Sequence, residues 1–176
     1  EVDNTYYDAY MQLGEIYTDK DYKTAIQFYD NALRIKPSSD EALYGKGRIS
    51  QNLGQYKDAY ILYSEAAKVN PGHKFANYGK AFIDVRFENY EAALQTLNNI
   101  LALDEEYSNA YTLRGFIHEM KKQKGKAIED YQKAIDQNLW IAQYYRNQGD
   151  TTRLTGALLE IGSAYLYLGN NSEGMV

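Results

Sequence analysis

The chain has 176 residues, a formal net charge of −5, 44% apolar residues, 19 tyrosines, two prolines and no cysteine. The apolar fraction can build a core, the missing cysteine excludes disulfide scaffolds and cysteine nucleophiles, and the negative balance disfavours binding nucleic acid through its phosphates. Two distant histidines, His73 and His118, leave little for a metal site, and no apolar stretch reaches the roughly 18 residues of a membrane-spanning helix.

The chain starts at Glu1 and carries no signal-peptide pattern, so the expectation is a fragment of a longer chain. Scarce proline fits helices, whose interiors it breaks. Pro37 and Pro71 stand 34 residues apart, and the same shift aligns Gly47, Ala81 and Gly115. It also aligns Ala59 with Ala93 and Ala127, Tyr63 with Leu97 and Tyr131, and Ala66 with Ile100 and Ala134.

In chain order, the first unit spans residues 5–37 and joins with one residue deleted in its turn, through Leu13-Gly14, Tyr17, Tyr22, Ala25, Tyr29, Ala32 and Pro37. The second spans 40–73, with apolar steps of three and four that predict helices over 42–53 and 56–69. Asn52-Leu53-Gly54-Gln55 supplies its turn, and Pro71-Gly72 stops its second helix. The third, 74–107, has Ile100 at the last alanine place and Glu105 at the proline place; the fourth, 108–138, is followed by Leu139 where proline belongs.

Beyond this point, 139–151 is expected as an irregular connector and 152–176 as a partial repeat. In this reading the second helix of the fourth unit runs on through Ala142 and Tyr145 to a turn at Asn147-Gln148-Gly149-Asp150. Ile161-Gly162-x2-Tyr165 then opens another first helix. Two alternatives stand beside it: strict spacing that schedules Gly149 and Gly156, and a break near Asn138 with a separate helix over 140–148.

The pattern resembles the tetratricopeptide repeat (TPR), whose 34-residue motif runs W-x2-L-G-x2-Y, then A-x3-F, A and P. Tyr10-x2-Leu13-Gly14-x2-Tyr17 matches it, whereas Lys46-Gly47, Lys80-Ala81 and Arg114-Gly115 depart at the Leu-Gly pair. The resemblance covers residues 5–138 in four units held in phase. It implies an all-α, right-handed superhelical solenoid of antiparallel helix pairs, without cofactor or metal, whose partner is a protein or peptide.

It further implies that first helices line a concave groove. The corresponding places hold Met11 and Glu15, then Tyr44 and Arg48, then Phe75, Tyr78, Phe82 and Arg86, and finally Asn109, Phe116 and Glu119. Rigid aromatics beside arginine are the composition of binding hot spots. The subclass that clamps C-terminal carboxylates needs lysine, asparagine and arginine at set places. Here they hold Met11, Glu15 and Gly45, or Tyr44, Arg48 and Gly79, so that clamp is absent.

Nothing in the sequence spells catalysis: there is no nucleophile elbow, phosphate loop, dinucleotide fingerprint or zinc-binding helix. Gly45-Lys46-Gly47 reads as helix packing, His118 as packed between helices, His73 as a solvated loop residue, and Lys121 to Lys126 as a solvated turn. Ten tyrosines, Tyr165 included, fall on scheduled packing places, while Tyr7, Tyr44, Tyr78 and Tyr167 are among the nine that do not. The apolar stretch Leu154 to Leu168 is expected either to lack a partner helix that follows it in a longer chain or to pair with another copy or another protein, and the latter makes self-association through the C-terminal helix a second role. A substrate-docking arm of a larger enzyme is a third. Asn170-Asn171-Ser172 spells a glycosylation sequon.

Overall fold

Helix signals dominate this sequence, and helices are what it forms. The computed structural model describes residues 4–172, and side chains over 6–169. Among the described residues there are nine helices and no strand: α1 (Asn4–Thr18), α2 (Tyr22–Ile35), α3 (Asp40–Asn52), α4 (Tyr56–Val69), α5 (Lys74–Arg86), α6 (Tyr90–Leu103), α7 (Ser108–Met120), α8 (Lys124–Gln148) and α9 (Thr151–Ser172). The sequon side chains lie outside the described residues.

Local chemistry starts and stops these helices. Asp21 accepts from Lys23 N at 3.0 Å and Ser39 Oγ from Ala42 N at 3.1 Å, capping α2 and α3. His73 Nδ1 accepts from Ala76 N at 3.2 Å and caps α5, so this histidine is a structural cap and not the solvated loop residue expected. The turns after α3, α5 and α7 each place one residue in the left-handed region: Gly54 (φ 74°), Glu88 (φ 61°) and Lys122 (φ 57°), one repeat apart. In two of them the chain closes in the same way, through Gln55 N to Ser50 O at 2.9 Å and Gln123 N to His118 O at 2.8 Å.

The chain divides into two compact units between Phe87 and Glu88, inside the turn of the third repeat. In the first unit α1 packs on α2, α3 on α4, and α5 on α4. Ala25, Ala32, Ala59 and Ala66 are wholly buried where helices approach, and Tyr29 and Tyr63 fill the space beside them. In the second unit α7 packs on α8 and α8 on α9. Ala127, Ala134 and Tyr131 repeat the same interior.

Residues 139–148 are the last turns of α8, which runs 25 residues, as the reading in which the second helix of the fourth unit runs on to the turn at Gly149 expects. Leu139 cannot stop a helix as proline does. Asn138, where the turn would have been, is buried, and its Oδ1 accepts from Ser108 Oγ at 3.0 Å. Gly149 (φ 72°) finally ends α8, and Asp150 Oδ1 accepts from Arg153 N at 3.0 Å to start α9. The α9 face at Ala157 and Ile161 packs on Ala142 and Ile141 of α8.

Candidate functional site

Each interior tyrosine sits on glycine. A Cβ built at Gly14 or Gly45 would fall 2.8 or 2.5 Å from the Tyr29 ring, and at Gly47 or Gly79, 2.7 or 2.5 Å from the Tyr63 ring. Gly115 meets Tyr131 at 2.8 Å in the same way. Gly45 and Gly47 are therefore packing glycines on opposite sides of one helix, each serving a different tyrosine. The ring passes between first helices, and its hydroxyl emerges on their shared side. There Tyr63 donates to Gln51 Oε1 at 2.9 Å and Tyr131 to Glu119 Oε2 at 2.9 Å. Tyr29 lies 3.4 Å from Thr18 Oγ1 and donates to Glu15 Oε2 at 3.2 Å. Thr18, Gln51 and Glu119 occupy one repeat position; where the interior ring is absent, at Leu97, that position holds Val85.

Around these hydroxyls the first unit presents a polar and aromatic strip. Arg48 donates to Glu15 Oε1 at 3.0 Å, bridging α3 and α1. Burial opposes the Arg48 charge, but the Glu15 carboxylate, with Tyr44 and Tyr29, outweighs it and raises its pKa above the ordinary value. The Tyr44 ring packs at a tilt against Tyr63 at 5.8 Å, His73 at 5.0 Å and Phe75 at 6.1 Å. Burial raises the Tyr44 phenol pKa, against the nearby Arg48 charge. Phe75, at the edge of this cluster, is 47% exposed, with the Lys74 ammonium 5.5 Å from its ring centre.

Thus Glu15, Arg48, Tyr44 and Phe75 form one connected surface, and Tyr78 is half-buried on the same helix as Phe75. Other expected places serve the interior. Met11 packs into the core around Tyr29, and Phe82 into that around Tyr63. Arg86, placed in the groove by the resemblance, has its guanidinium 4.3 Å from the ring centre of Tyr56, at the start of α4. The sequence missed His73 as a partner of Tyr44 and the buried Tyr63 as the ring beneath it. The signal for Tyr63 was its constant spacing from Gln51; a ring stacked on a helix cap leaves none.

In the second unit Asn109, Phe116 and Glu119 are all half-buried on α7. Tyr167 of α9 stacks on Tyr131 at 5.3 Å and meets Phe116 edge-on at 6.3 Å, so α9 partly covers Phe116. Nearby, Arg114 grips Asp130 with two hydrogen bonds of 2.8 and 2.7 Å. His118 is largely buried, with Nδ1 2.8 Å from Gln123 Oε1, in keeping with a packed residue. Lys121 pairs with Glu91 at 2.5 Å, so it is not simply solvated.

Among the described residues no group of histidine, aspartate and glutamate is placed to hold a metal ion, and no helix is long and apolar enough to cross a membrane. Comparison with curated proteins gives no match. Among solved structures, MamA from residue 41 to its end, from Desulfovibrio magneticus RS-1, is 23% identical with a TM-score of 0.67, over 96% of this chain and 94% of that one. YrrB, described as a TPR protein with an unusual peptide-binding site, is 19% identical with a TM-score of 0.63, over 90% of this chain and 84% of that one. An O-GlcNAc transferase mutant from Thermobaculum terrenum is 18% identical with a TM-score of 0.69, over 79% of this chain but only 27% of that one. The family described as anaphase-promoting complex, cyclosome, subunit 3 matches residues 18–100, and a tetratricopeptide repeat family matches residues 78–140. With its in-phase units and helix pairs built on recurring glycine–tyrosine contacts, the chain belongs to the tetratricopeptide repeat family.

Proposed function

We propose that the chain is a non-catalytic protein-interaction module whose first unit binds a segment of a protein partner, as an extended peptide or an amphipathic helix. The observation that carries this is the half-open ring cluster of Tyr44, His73 and Phe75 beside the Arg48–Glu15 pair. Its rings are held by contacts within the protein, so little side-chain freedom is lost on binding. Phe75 offers apolar area, while Arg48 and Glu15 orient polar groups of the ligand.

The relative described as having an unusual peptide-binding site supports a peptide as the ligand class. Transferase chemistry belongs to a relative of which this chain spans only a small part, and a docking role toward such chemistry has no residue here to support it.

The test is a peptide library screened on the purified chain, followed by the Phe75→Ala/Tyr78→Ala variant. Enriched peptides should bind the variant at least about tenfold more weakly, with helicity unchanged. Equal binding by the variant overturns the reading.

A further inference from the structure

We propose that α9 pairs antiparallel with α9 of a second copy of this chain, the Tyr165 ring of each copy lying on Gly162 of the other. The contact uses no residue of the ring cluster above and stands apart from that reading.

The argument starts from what every comparable glycine does. Gly14, Gly47 and Gly115 each receive a tyrosine ring from the second helix of their own repeat. Gly162 holds the same place in Ile161-Gly162-x2-Tyr165 as Gly14 in Leu13-Gly14-x2-Tyr17. A Cβ on Gly162 would nevertheless meet nothing within 4 Å. Tyr17 packs on Phe28 at 5.5 Å, whereas Tyr165 is 52% exposed. So among the described residues α9 displays an empty cradle and, three residues on, an unsheltered ring.

The same helix face is self-complementary. Leu158, Gly162, Tyr165 and Gly169 follow at steps of four, three and four, which places them in one stripe. This stripe lies beside the face that Ala157, Ile161 and Ala164 bury, and Leu158 is 46% exposed. A Cβ at Gly169 would also meet nothing within 4 Å. A two-fold axis between residues 163 and 164 sets Gly162 opposite Tyr165 and, in the same register, Leu158 opposite Gly169. Each large side chain then meets a glycine, and the contact is isologous, as two-fold pairing requires. Between Leu154 and Ser172 the helix carries one charged residue, Glu160, which is off the stripe, so like charges do not oppose the approach. Antiparallel helices also align their dipoles favourably.

The test is sedimentation of the purified chain up to about 1 mM, beside Gly162→Gln and Tyr165→Ala, with helicity monitored; the pairing predicts a dimer weakened at least tenfold by either change. Glutamine favours helix over glycine, so loss of the dimer by Gly162→Gln cannot come from unfolding of α9. Because the chain has no cysteine, Gly162→Cys and Tyr165→Cys chains can be mixed under oxidising conditions. The mixture should crosslink faster than either alone. A strict monomer, a dimer indifferent to both changes, or crosslinking no faster in the mixture overturns the proposal. A monomer that instead captures a helix of another protein at this face also overturns it.

Discussion

A methyl group at Gly79 would sit 2.5 Å from Cε2 of Tyr63, a ring already held by Gly47 on its other side. The ring has no free direction in which to yield, because it is 2% exposed and its hydroxyl is tied to Gln51. Gly79→Ala should therefore cost about 1–3 kcal/mol through overpacking, despite the helix propensity of alanine. Gly156 meets nothing within 4 Å, so the same change there should stabilise by about 1 kcal/mol. Urea midpoints at constant slope measure both, and a stabilising Gly79→Ala would contradict the cradle. Much of this was legible: Gly47 and Tyr63 recur together because a small residue and a large ring share one space. Which tyrosine Gly45 serves was not legible, since a period does not say which neighbour a helix face meets. Tyr165 and Tyr7 mark the same limit. Tyr165 holds a packing place yet is exposed, because no second helix follows it among the described residues, while unscheduled Tyr7 is buried through its hydroxyl contact with Ser39 at 2.7 Å.

At the scale of the element, the turns were read from Gly54, and the structure extends that geometry to two residues with side chains. Lys122 and Glu88 take the left-handed conformation in which a Cβ crowds the backbone. Lys122→Gly removes that strain but adds freedom to the unfolded chain, and the balance should be about 0.5–1 kcal/mol of stabilisation. The Lys122 side chain is exposed and has no ion pair among the described residues, so little else changes. Thermal unfolding of the variant would show a raised midpoint; a lowered one would mean that the turn does not limit stability. The length of α8 was half legible. The missing proline at Leu139 removed the stop signal, but continuation depended on Asn138 finding Ser108 as a buried hydrogen-bond partner, and such a long-range match leaves no local pattern. The same holds for Tyr167, which stacks on Tyr131 and meets Phe116, a residue that α7 was expected to open.

Across the whole molecule the device that recurs is a tyrosine buried between helices with its hydroxyl on a shared polar side, and it makes the fold sensitive to alkali. Tyr29, Tyr63 and Tyr131 are at most 2% exposed, and burial is the main cause raising each phenol above its ordinary pKa of 10.0. For Tyr131, hydrogen bonding to Glu119 adds to the effect, since ionisation would set a phenolate against a carboxylate. The folded chain thus holds these three protons more tightly than the unfolded chain does. Their contribution is fully present below pH 10 or so and declines as pH climbs toward the folded values, by at most about 1.4 kcal/mol per pH unit for each phenol. Rings lie in both units, so both should lose helicity in the same alkaline range. The expected record is a rise in phenolate absorbance from these three rings that coincides with the loss of helicity. Tyr131→Phe should lower stability at neutral pH by about 1 kcal/mol, the worth of its hydrogen bond to Glu119, yet make the loss of stability above pH 10 less steep. If these three phenols instead ionise with the helices intact, the rings are not held as the structure holds them.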